Sequence, residues 1–218
     1  MKIVIPTCDK YSYLVPGNIH SIRKSWPDCP YEIVVITGRE ELPIKTAEVV
    51  YLGDDRQYGT NLLTFLDNNY SDKELLIWLD DYYLFNVNIN MVTAAHKLVA
   101  SGSIDGVRLS KMYTPQEEPK YKKDERFVYI NKQEQYSFSQ QAAIWNTDVF
   151  HRILYDGEDP WQTELNGSGR ISHGVVNVGD LLGVSVESLQ YHNLSYQRTI
   201  DTQSIIWYMR SVARDLNV

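Results

Sequence analysis

With 218 residues, 43% of them hydrophobic, the chain can bury one full core, and it lacks both the composition of a disordered segment and the long apolar runs of a membrane protein. Its net charge of -7 argues against nucleic acid as a partner, because no basic surface would neutralise phosphates non-specifically. The two cysteines, Cys8 and Cys29, show neither disulfide-framework nor zinc spacing, so a reducing, cytoplasmic setting is expected.

The apolar run in MKIVIPT is too short for a signal peptide and reads as a first strand, Lys2 to Ile5, closed by Pro6 and Thr7. Ile19, Ile22 and Trp26 then recur at helical spacing, with Pro16 where a first turn tolerates it. Tyr31 to Thr37 is a second strand stopped by Gly38, and Ala47 to Leu52 a third stopped by Gly53-Asp54-Asp55. A helix from about Thr60 carries Leu62, Phe65 and Leu66 inward. Leu75 to Leu79 is a continuous apolar run too short for a helix, read as a strand buried on both faces. Such alternation implies parallel pairing through right-handed crossovers.

Ile89, Val92, His96 and Val99 mark a third helix, and Ile104 to Leu109 a further strand. From Lys111 to Arg126 the chain is polar and charged with two prolines, hence an exposed loop. Phe127 to Asn131 and Gln141 to Trp145 read as short antiparallel strands, and Thr147-Asp148 opens a helix through Leu154. Val184 to Leu189 reads as a late strand, and Ile205, Met209, Val212 and Leu216 trace one face of a C-terminal helix. The whole is expected to be a single α/β domain: a nucleotide-binding half over 1–110, an acceptor-side half over 111–199 and a terminal helix over 200–218.

The chemistry concentrates in LLIWLDDYYL, where a buried strand runs directly into Asp80 and Asp81. Two carboxylates about 5 Å apart repel by roughly 3 kcal/mol at an effective dielectric near 20. Solvent, a basic partner or a divalent cation must offset that. In an open α/β sheet ligands bind at the carboxyl ends of strands, so a cation with a phosphate ligand is one reading and a solvated turn the other. Side chains alternate along a strand, so the two aspartates share a site only if the chain turns there.

Three stretches carry a resemblance. KIVIPTCDKY looks like the first strand and nucleotide-side loop of GT-A-type glycosyltransferases, particularly the small family 2-like enzymes of bacteria and phages. LLIWLDDYYL looks like the strand that ends in their DXD metal motif, and SFSQQAAIWNTDVFHRIL with DPWQTE resembles their acceptor-side half. One departure is that Tyr82 stands where a strict Asp-x-Asp would have its second aspartate. The resemblance implies a GT-A, Rossmann-like, mostly parallel sheet flanked by helices, with a small antiparallel acceptor-side portion. It implies transfer of a sugar from a nucleoside-diphosphate sugar, UDP-linked on family grounds, to a glycan or other hydroxyl acceptor with manganese or magnesium as cofactor.

Residue by residue, Asp81 becomes the direct metal ligand and Asp80 faces ribose or a metal-bound water. His192 is the candidate for a further ligand from the C-terminal region, with an exposed loop histidine as the alternative. Pro6, Thr7, Asp54, Asp55 and Arg56 follow strand ends and would cradle base, ribose or diphosphate. An inverting transfer needs a general base, for which Asp159 and Glu164 are candidates of equal rank, unless they are helix N-terminal residues favoured by the macrodipole. Trp161 is either an acceptor platform or a core tryptophan. Two other functions compete: a catalytically silent nucleotide- or glycan-binding module on the same scaffold, and a nucleotidyltransferase. Against the last, Thr7-Cys8-Asp9-Lys10 is no glycine- and lysine-rich activation loop.

Overall fold

The computed structural model describes residues 1–38, 42, 44–110, 119–185, 188–196 and 199–200. The expected C-terminal helix and the first eight residues of the expected 111–126 loop lie outside that set. The first half comprises β1 (Lys2–Pro6), α1 (Val15–Ser25), β2 (Ile33–Thr37), β3 (Glu48–Tyr51), α2 (Tyr58–Asn69), β4 (Glu74–Ile77), β5 (Tyr82–Val87) and α3 (Ile89–Ala100). After these come β6 (Gly106–Arg108), β7 (Phe127–Tyr129), β8 (Ala143–Asn146), α4 (Thr147–Ile153) and α5 (Pro160–Ser172). The chain continues through β9 (Leu181–Val184), β10 (Leu189–Asn193), β11 (Ser195–Tyr196) and β12 (Thr199–Ile200).

Eight strands form one sheet in the order β3-β2-β1-β4-β8-β6-β9-β7. The pairs β1–β2, β2–β3, β1–β4 and β6–β9 are parallel, and β8 and β7 run against the other six. Strand alternation sorts the β-branched runs into two cores. Ile3, Ile5, Ile33 and Val35 face one way, onto Ile19 and Ile22 of α1 and Val92 and Val99 of α3. Val4, Val34 and Ile36 face the other way, onto Leu62 and Phe65 of α2, Phe150 of α4 and Ile171 of α5. Burial on both faces explains why these strands read as unbroken apolar runs, each such side chain worth about 1.5–3 kcal/mol.

Two expectations are corrected. Val184 and Leu189 are not ends of one strand: β9 finishes at Val184 and β10 begins at Leu189. Both residues are buried, at the adjoining ends of strands in different sheets, which made the stretch look continuous. The strand expected over Leu75–Leu79 is shorter, and a second strand that was not expected follows the aspartates. β4 stops at Ile77, the chain turns at Asp80-Asp81, and β5 leaves to pair antiparallel with β10.

α5 grows from a segment rich in glycine and polar residues. Asp159 accepts from the Gln162 amide, the Gln162 side chain accepts from the Asp159 amide, and Pro160 fills the first turn: a capping box offsets poor propensity. The α4–α5 connection is seamed to the start of α2. The Gly59 amide donates to the Glu158 carbonyl at 2.9 Å, and a Cβ at Gly59 would collide with the Tyr155 carbonyl. Thr60 donates to Asp156 at 2.6 Å across the same seam. The start of α2 and the α4–α5 connection are thereby joined close to Asp159, one of the candidate residues.

Candidate active site

The Asp80-Asp81 turn is built by α1. Asn18, fully buried, donates its Nδ2 to the carbonyls of Leu79 (2.9 Å), Asp80 (3.0 Å) and Tyr82 (2.8 Å). Trp78 Nε1 donates to the Tyr82 carbonyl at 3.0 Å, and the Leu194 amide donates to the Asp81 carbonyl at 2.9 Å. The chain therefore turns where strand alternation requires it to, if both carboxylates are to serve one site. Asn18→Asp would set a buried carboxylate against three carbonyl oxygens. We expect it to lower unfolding free energy by about 3–5 kcal/mol in urea titrations, whereas wild-type stability would disprove the clamp.

Thr7 donates its hydroxyl to Asp80 Oδ2 at 2.6 Å, tying the end of β1 to the turn. Burial, and next the neighbouring charge of Asp81, push the Asp80 carboxyl up to about 7, against the opposing pull of the Thr7 hydrogen bond. Asp81 is itself only 8% exposed. Two crowded, desolvated carboxylates are the donor set a hard divalent cation takes, with its remaining positions left for waters or phosphate oxygens. Among the described residues no three His, Cys, Asp or Glu side chains are grouped to hold a metal ion. His192 lies on β10 opposite Tyr83, its ring stacked on Phe85 with 4.7 Å between centroids.

Past the end of β3, Asp55 and Arg56 line an open cleft of about 700 Å³ together with Cys8, Gln57, Thr60, Asp156 and Gly157. Asp55 approaches Gly38 so closely that a Cβ there would lie 2.7 Å from the Asp55 Cα, and its Oδ2 accepts from the Asp9 amide at 3.2 Å. Pro6 ends β1 beside Thr7, and Asp54 is exposed in the turn after Gly53 (φ +78°). The expected nucleotide-side residues thus cluster along one rim, past the ends of β1 and β3.

On α5, Glu164 Oε1 accepts from the Gln140 amide (2.8 Å) and the Ser139 hydroxyl (3.0 Å). Burial raises its carboxyl above the ordinary range, opposed by those two hydrogen bonds and by the charge of Arg108. Asp159 caps α5, as the helix-terminus alternative anticipated. Glu158, its neighbour, forms a bidentate pair with Arg170 at 2.7 and 2.8 Å. Trp161 is 45% exposed in the first turn of α5, which removes the core alternative.

Sequence reasoning missed Asn18 and Arg108. Asn18 interrupts the apolar face of α1 beside Ile19, and Arg108 ends an apolar strand, so both carried a faint signal of a polar group facing inward.

The chain has the fold of the GT-A-type glycosyltransferases. No protein-family model matches it, and no curated protein does. Among solved structures, residues 1–349 of S. aureus TarS in complex with UDP match with a TM-score of 0.60 at 15% identity, over 88% of this chain and 60% of that one. The longer TarS structure matches with a TM-score of 0.62 at 15% identity, over 99% of this chain and 39% of that one. The mannosyltransferase PcManGT of Pyrobaculum calidifontis, in complex with GDP-Man and Mn2+, matches with a TM-score of 0.56 at 12% identity, over 98% and 64%. The chain thus spans less than two thirds of each of these neighbours. No helix among the described residues is long and apolar enough to cross a membrane.

Proposed function

We propose that the chain is a glycosyltransferase that takes a nucleoside-diphosphate sugar, UDP-linked, and moves the sugar to a hydroxyl acceptor with the help of manganese or magnesium. The observation that carries this reading is the turn that sets Asp80 and Asp81 together at the carboxyl end of a central strand. The cleft bordered by Cys8, Asp55 and Arg56 lies beyond the end of β1, whose Thr7 bonds Asp80. Neighbours of this fold bind UDP, UDP-GlcNAc or GDP-Man.

In this reading Asp55 and Arg56 hold the nucleotide and Asp81 is the direct metal ligand. Asp80, oriented by Thr7, faces ribose or a metal-bound water. Bound there, the cation would neutralise charge developing on the departing diphosphate. Glu164 or Asp159 takes the acceptor's proton, and Trp161 offers an exposed ring against which an acceptor sugar stacks. His192 completes the ligand set from β10 if its ring leaves Phe85.

The test is a thermal-shift panel of UDP, GDP, CDP and TDP, each with and without manganese. UDP and manganese together are expected to stabilise the protein far beyond either alone, by about 2.7 kcal/mol when ligand is 100 times its dissociation constant. A panel with no shift for any diphosphate in manganese would end the donor reading.

A second reading, the silent binding module, draws on one observation. Both candidate bases already serve the architecture: Asp159 caps a helix, and Glu164 holds the 139–140 backbone. Nucleotide binding without sugar release would favour it.

A further inference from the structure

β6 sends a cation into the apolar layer that packs under α4 and α5. Gly106 and Arg108 share one face of that strand, and the Trp145 ring lies so close over Gly106 that a Cβ there would sit 2.6 Å from it. An apolar residue at position 108 would simply continue the layer. Arg108 stands there instead, only 6% exposed. Both β4 and β6 run antiparallel to β8, so β6 ends on the same edge of the sheet as the Asp80-Asp81 turn.

The guanidinium donates to the Tyr136 carbonyl, and Tyr136 holds φ +64°, a left-handed conformation that a bulky side chain keeps only where its surroundings fix it. Farther on, Ala142 is left-handed too, at φ +34°. Between them the chain is seated on α5. The Phe138 amide donates to Ser168 Oγ at 3.1 Å, and a Cβ at Gly167 would lie 2.7 Å from the Phe138 ring. Ser139 and the Gln140 amide then both donate to Glu164 Oε1. Arg108 thus grips one end of a strained segment whose other end orients the carboxylate.

Arg108, Ser137 and Ser139 also border one small cavity of about 10 Å³, the room of a single water. The guanidinium therefore lies about one water away from Ser139, whose hydroxyl is 3.0 Å from the Glu164 carboxylate. Ser137 Oγ is buried without a partner among the described residues, and a water in that cavity would supply one. Burial pulls the ionisation of Arg108 down, and the charge of Glu164 is foremost in opposing that pull.

We propose that Arg108 is a positioning residue for Glu164: by clamping the turn at Tyr136 it sets the segment whose Ser139 hydroxyl and Gln140 amide aim the carboxylate at the acceptor. This rests on the reading of Glu164 as the base. Arg108→Met removes the donors and the charge at similar length, and Arg108→Lys keeps the charge and one donor group but not the planar fork.

The experiment follows UDP release from UDP-sugars in manganese, at varied donor concentration. It compares wild type, Arg108→Met, Arg108→Lys and Glu164→Gln, and each Arg108 variant combined with Glu164→Gln. Arg108→Met is expected to lower kcat about 10- to 100-fold, the scale of a misplaced catalytic group, with KM unchanged. Arg108→Lys should lose less. Neither should slow Glu164→Gln any further, because their effect passes through that carboxylate. Losses that multiply in the Glu164→Gln background show a merely structural role and overturn the proposal. Wild-type turnover in Arg108→Met overturns it as well, as does a loss confined to KM. Should Arg108→Met fail to fold, Arg108→Lys decides by the same criteria. If Glu164→Gln keeps wild-type turnover, or wild type releases no UDP, the reading of Glu164 as base falls and this inference falls with it. A slow Glu164→Gln beside an unaffected Arg108→Met strikes this inference alone.

Discussion

Of the two isosteric variants Glu164→Gln and Asp159→Asn, one is expected to slow donor turnover by about 10²–10⁴-fold while binding UDP and manganese as wild type does. The separation of binding from chemistry follows from where the groups stand. In the proposed function the donor would be held past the ends of β1 and β3 and by the Asp80-Asp81 turn, whereas the base would meet only the acceptor. Glu164 has the burial that lifts a carboxyl toward the range useful for a base. Asp159 sits at the end of the seam with α2, and its asparagine variant keeps an oxygen to cap α5, so stability changes little. Turnover can be followed before an acceptor is known, as UDP released from UDP-sugars with water as surrogate acceptor. If both variants release UDP at the wild-type rate, neither carboxylate activates water, and a retaining path in which the leaving phosphate takes the acceptor proton becomes the better account.

Asp81→Ala should abolish the metal-dependent part of nucleotide binding and stabilise the metal-free protein at neutral pH. The folded-state ionisation of Asp80 is raised from 3.8 to about 7, first by burial and next by Asp81. A carboxyl raised in the folded state contributes stability that is full below its unfolded value and lost as pH rises through the folded one. Metal-free wild type should therefore lose stability between about pH 4 and pH 7, by a few kcal/mol at most, since each unit of displacement is worth about 1.4 kcal/mol. Removing Asp81 removes one cause of the displacement, so the decline should be shallower in urea titrations across that window. An unchanged slope would mean that burial alone governs Asp80.

Local pattern revealed much of the fold because its strands are buried on both faces. Ile33–Thr37 and Leu75–Ile77 announce themselves by apolar continuity, and α1 and α3 by helical spacing. Long-range pairing hid the rest. β5 follows the aspartates and exists as a strand because β10 comes back from about a hundred residues downstream, information that no window around Tyr82 contains. The separation of β9 from β10 was lost in the same way. At the site, Asp80 and Asp81 were conspicuous as charges at the end of an apolar run. Thr7, Asp55 and Arg56 were legible as residues after strand ends. Asn18 was not, because its role depends on three carbonyls more than sixty residues away.

The central claim is that Asp80 and Asp81 couple a divalent cation to a nucleoside diphosphate. Calorimetric titration of UDP into wild type and Asp81→Ala, each with and without manganese, tests it most directly. Manganese should tighten UDP binding to wild type by at least about tenfold, or 1.4 kcal/mol, and should have no effect on the variant. Equal tightening in both proteins, or none in wild type, would contradict the claim.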